Sequence, residues 1–392
     1  MDSIGVAVIG GGMAGRAHAA AYRMASTVYG GDLPPIRLVA IADLDAELAA
    51  DVARRYGYSR SESDWRTIAE APDVDAVSVV VSNALHREIV EALLSAGKHV
   101  LCEKPLADTL ENAQAMLAAA NRSPHVAAVG FTFRRAPAIA AIAEYVAKGG
   151  IGRPFHASAR YWCDYAVSSA APMSWRFSGP IGSGALADLG SHLIDALEQA
   201  LGDITAVRGA FCSTVITERR LPQGRVRGHE FAELSDKTAR VENEDFAHFT
   251  ALFGSQTSGV FSVSRVATGL PNTLAFEIFG EEGAVAFDFT RPGEFWITSS
   301  TPADPDARWQ RVIVGPRHPY VDRGLPMDAA GVHYGQNDLF AWQARAFLEQ
   351  ISGRSTLPPV PDFRTGLHNM HVIDAIAHSA HRAGSEVSVV GI

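Results

Sequence analysis

An apolar run without alternation, Ile4-Gly5-Val6-Ala7-Val8-Ile9, leads directly into Gly10-Gly11-Gly12-Met13-Ala14-Gly15, and an alanine-rich helical stretch follows from Arg16 to Met24. The run suits a parallel strand buried on both faces. The glycines suit a tight turn that lets the backbone approach a ligand closely, with the amino terminus of the next helix facing it. G-x-G-x-x-G between strand and helix is the dinucleotide fingerprint, so Gly10, Gly12, Met13, Ala14 and Gly15 are the expected seat of a pyrophosphate.

Such a turn belongs to a doubly wound sheet, and the next segments fit one. Arg37 to Ala42 reads as a second strand ending at Asp43. A carboxylate there can accept hydrogen bonds from the adenosine ribose and would repel a 2′-phosphate, which favours NAD over NADP. Capping the helix Asp45 to Tyr56 is the alternative role. Ser26 to Pro35 reads as an inserted loop. Asp75 to Val81 is a third buried strand, followed by Ser82-Asn83-Ala84-Leu85-His86 and a helix to Ala96. Near a cofactor His86 could contact ribose; capping or packing is the other reading.

Gly97 to Leu106 reads as a helix end, a short buried strand and a Glu103-Lys104 pair stopped by Pro105. The residue before a proline favours an extended backbone, so Lys104 is expected at the carboxyl end of its strand, where open α/β sheets bind ligands. His125 to Phe131 supplies another strand. Strands alternating with helices give a parallel sheet.

The chain has 392 residues, too many for one ordinary core. Its net charge of −9 offers no long-range attraction to nucleic acid. Cys102, Cys163 and Cys212 are widely spaced and form no ligand cluster, which argues against disulfides and structural zinc and for a reducing compartment. No basic-plus-apolar leader precedes the first strand and no apolar run approaches membrane-spanning length, so a cytoplasmic protein without a membrane partner is expected.

The pattern changes near Lys148 to Pro154. Phe155 to Trp162, Ala206 to Val215, Phe246 to Phe253, Gly259 to Val266, Leu274 to Phe279 and Ala284 to Phe289 read as strands, with hairpin signals at Gly254-Ser255-Gln256 and Gly280-Glu281-Glu282-Gly283. The expected fold is therefore α/β in residues 1–134, a Rossmann-type doubly wound parallel sheet, plus a mainly antiparallel α+β domain in residues 135–362. The last helix, about 363–382, is expected to pack back on the first domain. Residues 218–244 and 301–338 read as long surface loops, either of which could form a lid. His368, His371, His378 and His381 share an arc of the last helix, but no carboxylate or cysteine joins them at ligand spacing, so no metal is expected.

Residues 182–195 carry a second chemical stretch, Gly-Ser-Gly-Ala-Leu-Ala-Asp-Leu-Gly-Ser-His-Leu-Ile-Asp. Ser183 is placed to cap a helix beginning near Gly184. On that helix Asp188, His192 and Asp195 fall at i, i+4 and i+7, which makes Asp188 and His192 neighbours. A carboxylate beside an imidazole can orient and tune a base; a surface ion pair is the plainer reading.

Taken together, the glycine turn, Gly97-Lys98-His99-Val100-Leu101-Cys102-Glu103-Lys104-Pro105 and Asp188-Leu189-Gly190-Ser191-His192-Leu193-Ile194-Asp195 resemble the glucose–fructose oxidoreductase, inositol dehydrogenase and MocA family across nearly the whole chain. The resemblance implies an NAD-binding Rossmann domain and a carboxyl-terminal domain with a large open sheet whose exposed face commonly builds dimers or tetramers. By position, Lys104, Asp188 and His192 match the family's catalytic Lys, Asp and His, without a metal. Pro172-Met173-Ser174-Trp175-Arg176-Phe177, His318-Pro319-Tyr320 and Tyr334-Gly335 look like a branch acting on sugars, anhydrosugars or cyclitols. Ser82 stands where the family usually has proline, and Thr132 where many members have asparagine.

The implied reaction is oxidation of a secondary hydroxyl by hydride transfer to NAD, with His192 as base and Lys104 holding the oxygen. Glu103, Trp175 and Arg176 join Ser82, Asn83 and His86 as expected cofactor contacts. Arg134, Tyr161, Asp164 and Tyr334 are expected hydroxyl-binding residues beside Lys104, Asp188 and His192, because sugars demand several fixed polar contacts. For Trp175 and Arg176, packing and a salt bridge are the alternative. A glycoside-cleaving enzyme that oxidises transiently and a dinucleotide-binding regulator are the rival functions.

Overall fold

The computed structural model describes residues 2–31, 33–224, 232–299, 308–329, 331–389 and 391. Contacts divide the chain into two compact units: Met1–Arg135 with Gly315–Leu367, and Ala136–Val314 with His368–Ile392.

The first unit holds six parallel strands, β1 (Ile4–Ile9), β2 (Ile36–Ala42), β3 (Arg60–Glu62), β4 (Ala76–Val79), β5 (His99–Cys102) and β6 (Ala127–Val129), in the order β3-β2-β1-β4-β5-β6. Helices α1 (Met13–Ala25), α2 (Ala46–Tyr56), the short α3 (Arg66–Glu70), α4 (His86–Ser95) and α5 (Leu110–Arg122) connect them. Both β1 and β4 are buried along their full length, as their unbroken apolar runs require. Asp45 caps α2 by accepting the Leu48 N–H, and Gly57 ends it in the left-handed conformation. The three-residue β3 was not legible in the sequence.

In the second unit α6 (Pro137–Ala147) and α7 (Ser191–Leu201) accompany a nine-stranded sheet. Its strands are β7 (Pro154–Trp162), β8 (Ile204–Ser213), β11 (Phe246–Phe253), β12 (Ser258–Ser264), β13 (Thr273–Gly280), β14 (Gly283–Asp288), β15 (Glu294–Ser299), β16 (Gln310–Ile313) and β17 (Val387–Ser388). The order is β16-β15-β14-β13-β7-β12-β11-β8-β17, and β7 with β12 is its parallel pair. Both expected hairpins are present, joining β11 to β12 and β13 to β14.

Residues 218–244 are not a plain surface loop. β9 (Glu218–Pro222) pairs antiparallel with β10 (Leu234–Arg240), and the segment ends in the fully buried Asn243 and Glu244; residues 225–231 of this stretch lie outside the described residues. Residues 301–338 likewise contain β16 and a buried Tyr320, with 301–307 and 330 outside the described residues.

The domain allocation also differs from the expectation. Residues 315–362, with helix α8 (Gln336–Ile351), belong to the first unit, because polar groups of the early chain hold them there. The Tyr29 hydroxyl donates to Tyr320 O at 3.0 Å, Arg345 donates to Val28 O at 2.9 Å, and Arg135 donates to Pro358 O and Pro359 O at 2.7 and 2.8 Å. Val28 and Tyr29 of the inserted loop are thus pinned by Arg345 of α8 and by Tyr320. Most of α9 (Phe363–His381) belongs to the second unit, where Asn369 donates to Ser191 O at 2.9 Å and His368 meets Glu198 at 2.8 Å. Hydrophobic periodicity finds the helix but does not say which sheet it covers.

Candidate functional site

The glycine turn caps the carboxyl end of β1. Gly10 has φ +105°, and a Cβ there would lie 2.0 Å from Val80 O; at Gly15 it would lie 1.8 Å from Gly10 O. Those two glycines are demanded by the fold. Gly12 is different: a Cβ there would meet no protein atom within 4 Å, so its bare backbone leaves room for something other than protein. Gly12 opens α1 with no side-chain cap and no acidic residue in the first turn, so the unsatisfied N–H groups and the helix dipole favour an anion. These residues fit the pyrophosphate of a dinucleotide, to which Met13 and Ala14, in the first turn of α1, would offer N–H groups.

Asp43 reaches this turn. One carboxylate oxygen accepts the Gly11 N–H at 2.7 Å, the other the Asp45 N–H at 2.9 Å, while Asp45 itself caps α2. Asp43 therefore ties β2 to the glycine turn, and a ribose bound there would find its remaining lone pairs as acceptors. Ser82 and Asn83 follow β4, at the start of a short 3-10 turn Asn83–Leu85.

Two expected cofactor contacts turn inward instead. His86 is 0% exposed, with Nδ1 3.1 Å from Leu106 O and Nε2 3.2 Å from Val81 O. Burial depresses its pKa against the pull of these two carbonyl oxygens, and a ring held between two loops with no exposed surface is not placed to touch a ribose. Glu103 is buried too: Oε1 meets His18 Nε2 at 2.9 Å and Oε2 accepts the Lys104 N–H at 3.1 Å. Arg134 sits half-buried in the 3-10 turn Thr132–Arg135, and Tyr334 packs edge-on to Trp342 at 5.3 Å.

In the second unit, Asp188 and His192 are built on an irregular helix start. Leu186–Gly190 forms a π-helical turn, closed by the Ser191 N–H to Leu186 O, and α7 continues from it. The wide turn inserts a residue into the helical ladder at Asp188, directly before α7, which carries His192. Ser183 is not the cap, because its hydroxyl donates to Pro180 O at 2.7 Å. Glu244 does that work: its carboxylate accepts the N–H groups of Gly182, Gly184 and Leu186 at 2.8, 3.1 and 2.8 Å. Asn243 and Arg265 hold Arg176 O at 3.1 and 2.9 Å, and Arg265 pairs with Asp245 at 2.9 Å.

On that scaffold polar groups converge. The Tyr165 hydroxyl donates to Asp188 Oδ2 at 2.7 Å, and Arg176 Nη1 stands 3.8 Å from Asp188 Oδ1. The Arg176 guanidinium lies over the half-exposed Trp175 ring at 4.5 Å. The Tyr161 ring centroid is 6.4 Å from that of His192, and its hydroxyl donates to Asn272 Oδ1 at 2.8 Å. Asp164 is half-buried one residue before Tyr165, and Asp195 is buried, not on a surface. Tyr165, Glu244 and His18 escaped the sequence reading; the polar run Asn243-Glu244-Asp245 abutting an apolar strand was the one local hint.

The histidines of α9 disperse. His378 pairs with Asp374 at 3.0 Å, His381 faces Ala377 O at 2.7 Å, and His368 stands with Glu198 and Asp203, the three ligand-type atoms within 4.8 Å of one another. Glu198 also accepts the Ile204 N–H at 3.0 Å, so this is a helix-joining ion pair.

A dinucleotide-binding doubly wound unit joined to an open-sheet unit that displays a carboxylate and an imidazole defines a two-unit, dinucleotide-dependent oxidoreductase. Residues 4–131 match the model described as "Oxidoreductase family, NAD-binding Rossmann fold", and residues 139–286 match the "GFO/IDH/MocA C-terminal domain". The chain belongs to the Gfo/Idh/MocA family of NAD-binding oxidoreductases. It is 36% identical over 388 residues to levoglucosan dehydrogenase of Pseudarthrobacter phenanthrenivorans, covering 97% of each chain. It is 38% identical over 156 residues to inositol 2-dehydrogenase 3 of Saccharopolyspora erythraea, covering 40% of this chain and 44% of that one. Levoglucosan dehydrogenase in its apo form superposes with a TM-score of 0.91 at 34% identity, covering 100% of both chains. Its complex with NADH and levoglucosan gives 0.88 at 34% identity over 99% of each. Among the described residues, no helix is long and apolar enough to cross a membrane.

Proposed function

We propose that this protein oxidises one secondary hydroxyl of a cyclic sugar, anhydrosugar or cyclitol to a ketone, with NAD as hydride acceptor. The observation that carries the reading is the Asp188 cluster, in which Tyr165 and Arg176 hold the carboxylate one helical turn before His192. The full-length likeness to levoglucosan dehydrogenase supports the substrate class.

In this reading His192 accepts the hydroxyl proton on its imidazole, and Lys104 holds the same oxygen and stabilises its developing negative charge. Asp188, kept in place by Tyr165, orients His192 or takes a neighbouring hydroxyl. Bound NAD supplies the hydride-accepting carbon. Ser82, Asn83, Trp175 and Arg176 are proposed contacts to the cofactor; Arg134, Tyr161, Asp164 and Tyr334 are proposed contacts to the substrate. No metal is required, since Lys104 supplies the positive charge.

A panel of inositols, anhydrosugars and simple hexoses with NAD and NADP, followed at the NADH absorbance, tests this. Turnover on at least one cyclic polyol is expected, abolished by Lys104→Met while NADH binding survives. Wild-type turnover in Lys104→Met would remove the proposed role, and release of an aglycone without net NADH would replace the reaction by transient oxidation.

The outer face of the nine-stranded sheet carries Trp162, Phe211, Phe246 and Val260, with Phe211 and Val260 more than half exposed. We infer that this face, where those side chains stand among Thr250, Ser262 and Ser264, pairs copies of the chain. A monomer in sedimentation velocity at micromolar concentration would rule that out.

A further inference from the structure

In the first unit, four polar side chains run in a line that ends at the backbone of Lys104. Tyr22, Ser78 and His18 are at most 1% exposed, and Glu103 is 9% exposed. The Tyr22 hydroxyl and Ser78 Oγ are 2.8 Å apart, Ser78 Oγ and His18 Nδ1 3.0 Å, and His18 Nε2 and Glu103 Oε1 2.9 Å. The other oxygen, Glu103 Oε2, accepts the Lys104 N–H at 3.1 Å.

Counting protons assigns the direction of every link. A carboxylate only accepts, so Nε2 of His18 carries its proton. With a neutral ring, Nδ1 then accepts from the Ser78 hydroxyl, whose free lone pair accepts from the Tyr22 hydroxyl. Each proton is used once. Protonating Nδ1 as well would put three protons on these two links and leave either the Ser78 or the Tyr22 proton without a place in the line, inside a core where that is costly.

The surroundings enforce the line. Phe340 of α8 packs edge-on to the His18 ring at 5.2 Å. Gly130 presses against Glu103: a Cβ there would lie 2.8 Å from Oε1 and 3.4 Å from Nε2 of the buried Gln343. Burial pushes the Glu103 pKa up, but its partners His18 and Lys104 together outweigh burial and hold the carboxyl below its ordinary value. An apolar core would serve stability as well as a buried ionic chain does. What an apolar core cannot do is fix the peptide that carries Lys104.

We propose that His18 is a positioning residue for Lys104, acting through Glu103, with Ser78 and Tyr22 setting the tautomer of its ring. This rests on the role of Lys104 proposed above. Glu103 is accordingly part of the mount of the lysine and not a cofactor ligand. Displacing a reacting group by about an ångström can cost on the order of a hundredfold in rate. Losing the mount is therefore expected to reduce kcat about tenfold or more, with little change in binding.

The test compares wild type with His18→Leu, which removes the donor to Glu103, and His18→Gln, whose amide nitrogen can replace Nε2. Folded enzyme is counted by NADH titration, and kcat and KM are measured on the best substrate of the panel. The expected result is a kcat loss of about tenfold or more in His18→Leu, with substrate KM and NADH affinity within about twofold, and recovery of most of the rate in His18→Gln. If kcat per folded molecule in His18→Leu stays within about twofold, or KM rises while kcat holds, the inference is wrong. Should His18→Leu fail to fold, Ser78→Ala is read in the same way: a several-fold kcat loss at constant KM supports the inference, and an unchanged kcat overturns it. Lys104→Met separates the two readings. Wild-type rates there sink the proposed function itself, whereas a dead Lys104→Met beside a fully active His18→Leu sinks only the mount.

Discussion

Glu244 offers the sharpest test of how the second unit builds its site. Its carboxylate is 0% exposed and accepts three backbone N–H groups, from Gly182, Gly184 and Leu186, at the entrance to the turn that carries Asp188. In Glu244→Ala those three donors lose their acceptor in a dry environment, at about 1–3 kcal/mol each. The total, about 3–9 kcal/mol, compares with about 5–15 kcal/mol for the stability of a whole domain. Glu244→Ala is therefore expected to fold poorly. Glu244→Gln is the informative variant: its amide oxygen can keep the bonds to Gly184 and Leu186, both made by Oε1, while its NH2 faces the Gly182 N–H. One broken link predicts a loss of about 1–3 kcal/mol, with kcat per folded molecule preserved. Burial raises the Glu244 pKa against the pull of its backbone donors. The raised folded-state value means that the wild type gives up stability as pH rises through it, whereas the neutral glutamine does not. Urea unfolding followed by tryptophan fluorescence, at low and at neutral pH, measures both effects. If Glu244→Ala lay within 1 kcal/mol of wild type, the three donors would have other acceptors and the capping argument would fall.

Three further outcomes follow from the same geometry. Gly12→Ala should fold normally but bind NADH weakly, and Gly15→Ala should lose the fold, because only the second places a Cβ 1.8 Å from a backbone oxygen; equal thermal stability of the two variants would contradict this. Tyr165→Phe removes a 2.7 Å bond to the Asp188 carboxylate, worth about 1.5–3 kcal/mol for a charged acceptor, so kcat/KM should fall about ten- to a hundredfold; a change under threefold would disconnect Tyr165 from the chemistry. Burial lowers the His368 pKa, but the hydrogen bond and charge of Glu198 outweigh it and the pKa is raised. That stability is present below the ordinary histidine value of about 6.5 and is lost as pH rises through the folded-state value. The gap in urea midpoint between wild type and His368→Asn should accordingly close on going from about pH 5.5 to about pH 9, and a gap that widened would refute the pairing.

The amino-acid sequence by itself determined the elements whose cause is local. Ile4 to Ile9 is apolar without alternation and became a strand buried on both faces; the glycine turn and the two hairpins followed from backbone preferences a few residues long, whereas Lys104 sits in a bend two residues beyond the end of β5 at Cys102. The family motifs around Lys104, Asp188 and His192 were legible for the same reason, since each lies within one turn and its flanks. Tertiary structure alone decided which partner each buried polar group takes. Glu244 lies 58–62 positions from the N–H groups it caps, and Glu103 lies 85 from His18, distances over which periodicity and propensity carry no signal. The same physics sent residues 315–362 to the first unit, turned His86 and Glu103 inward, and put a wide turn under Asp188. Leaving a polar group unpaired in a dry core is costly, and the group that satisfies it is whichever one packing brings within about 3 Å.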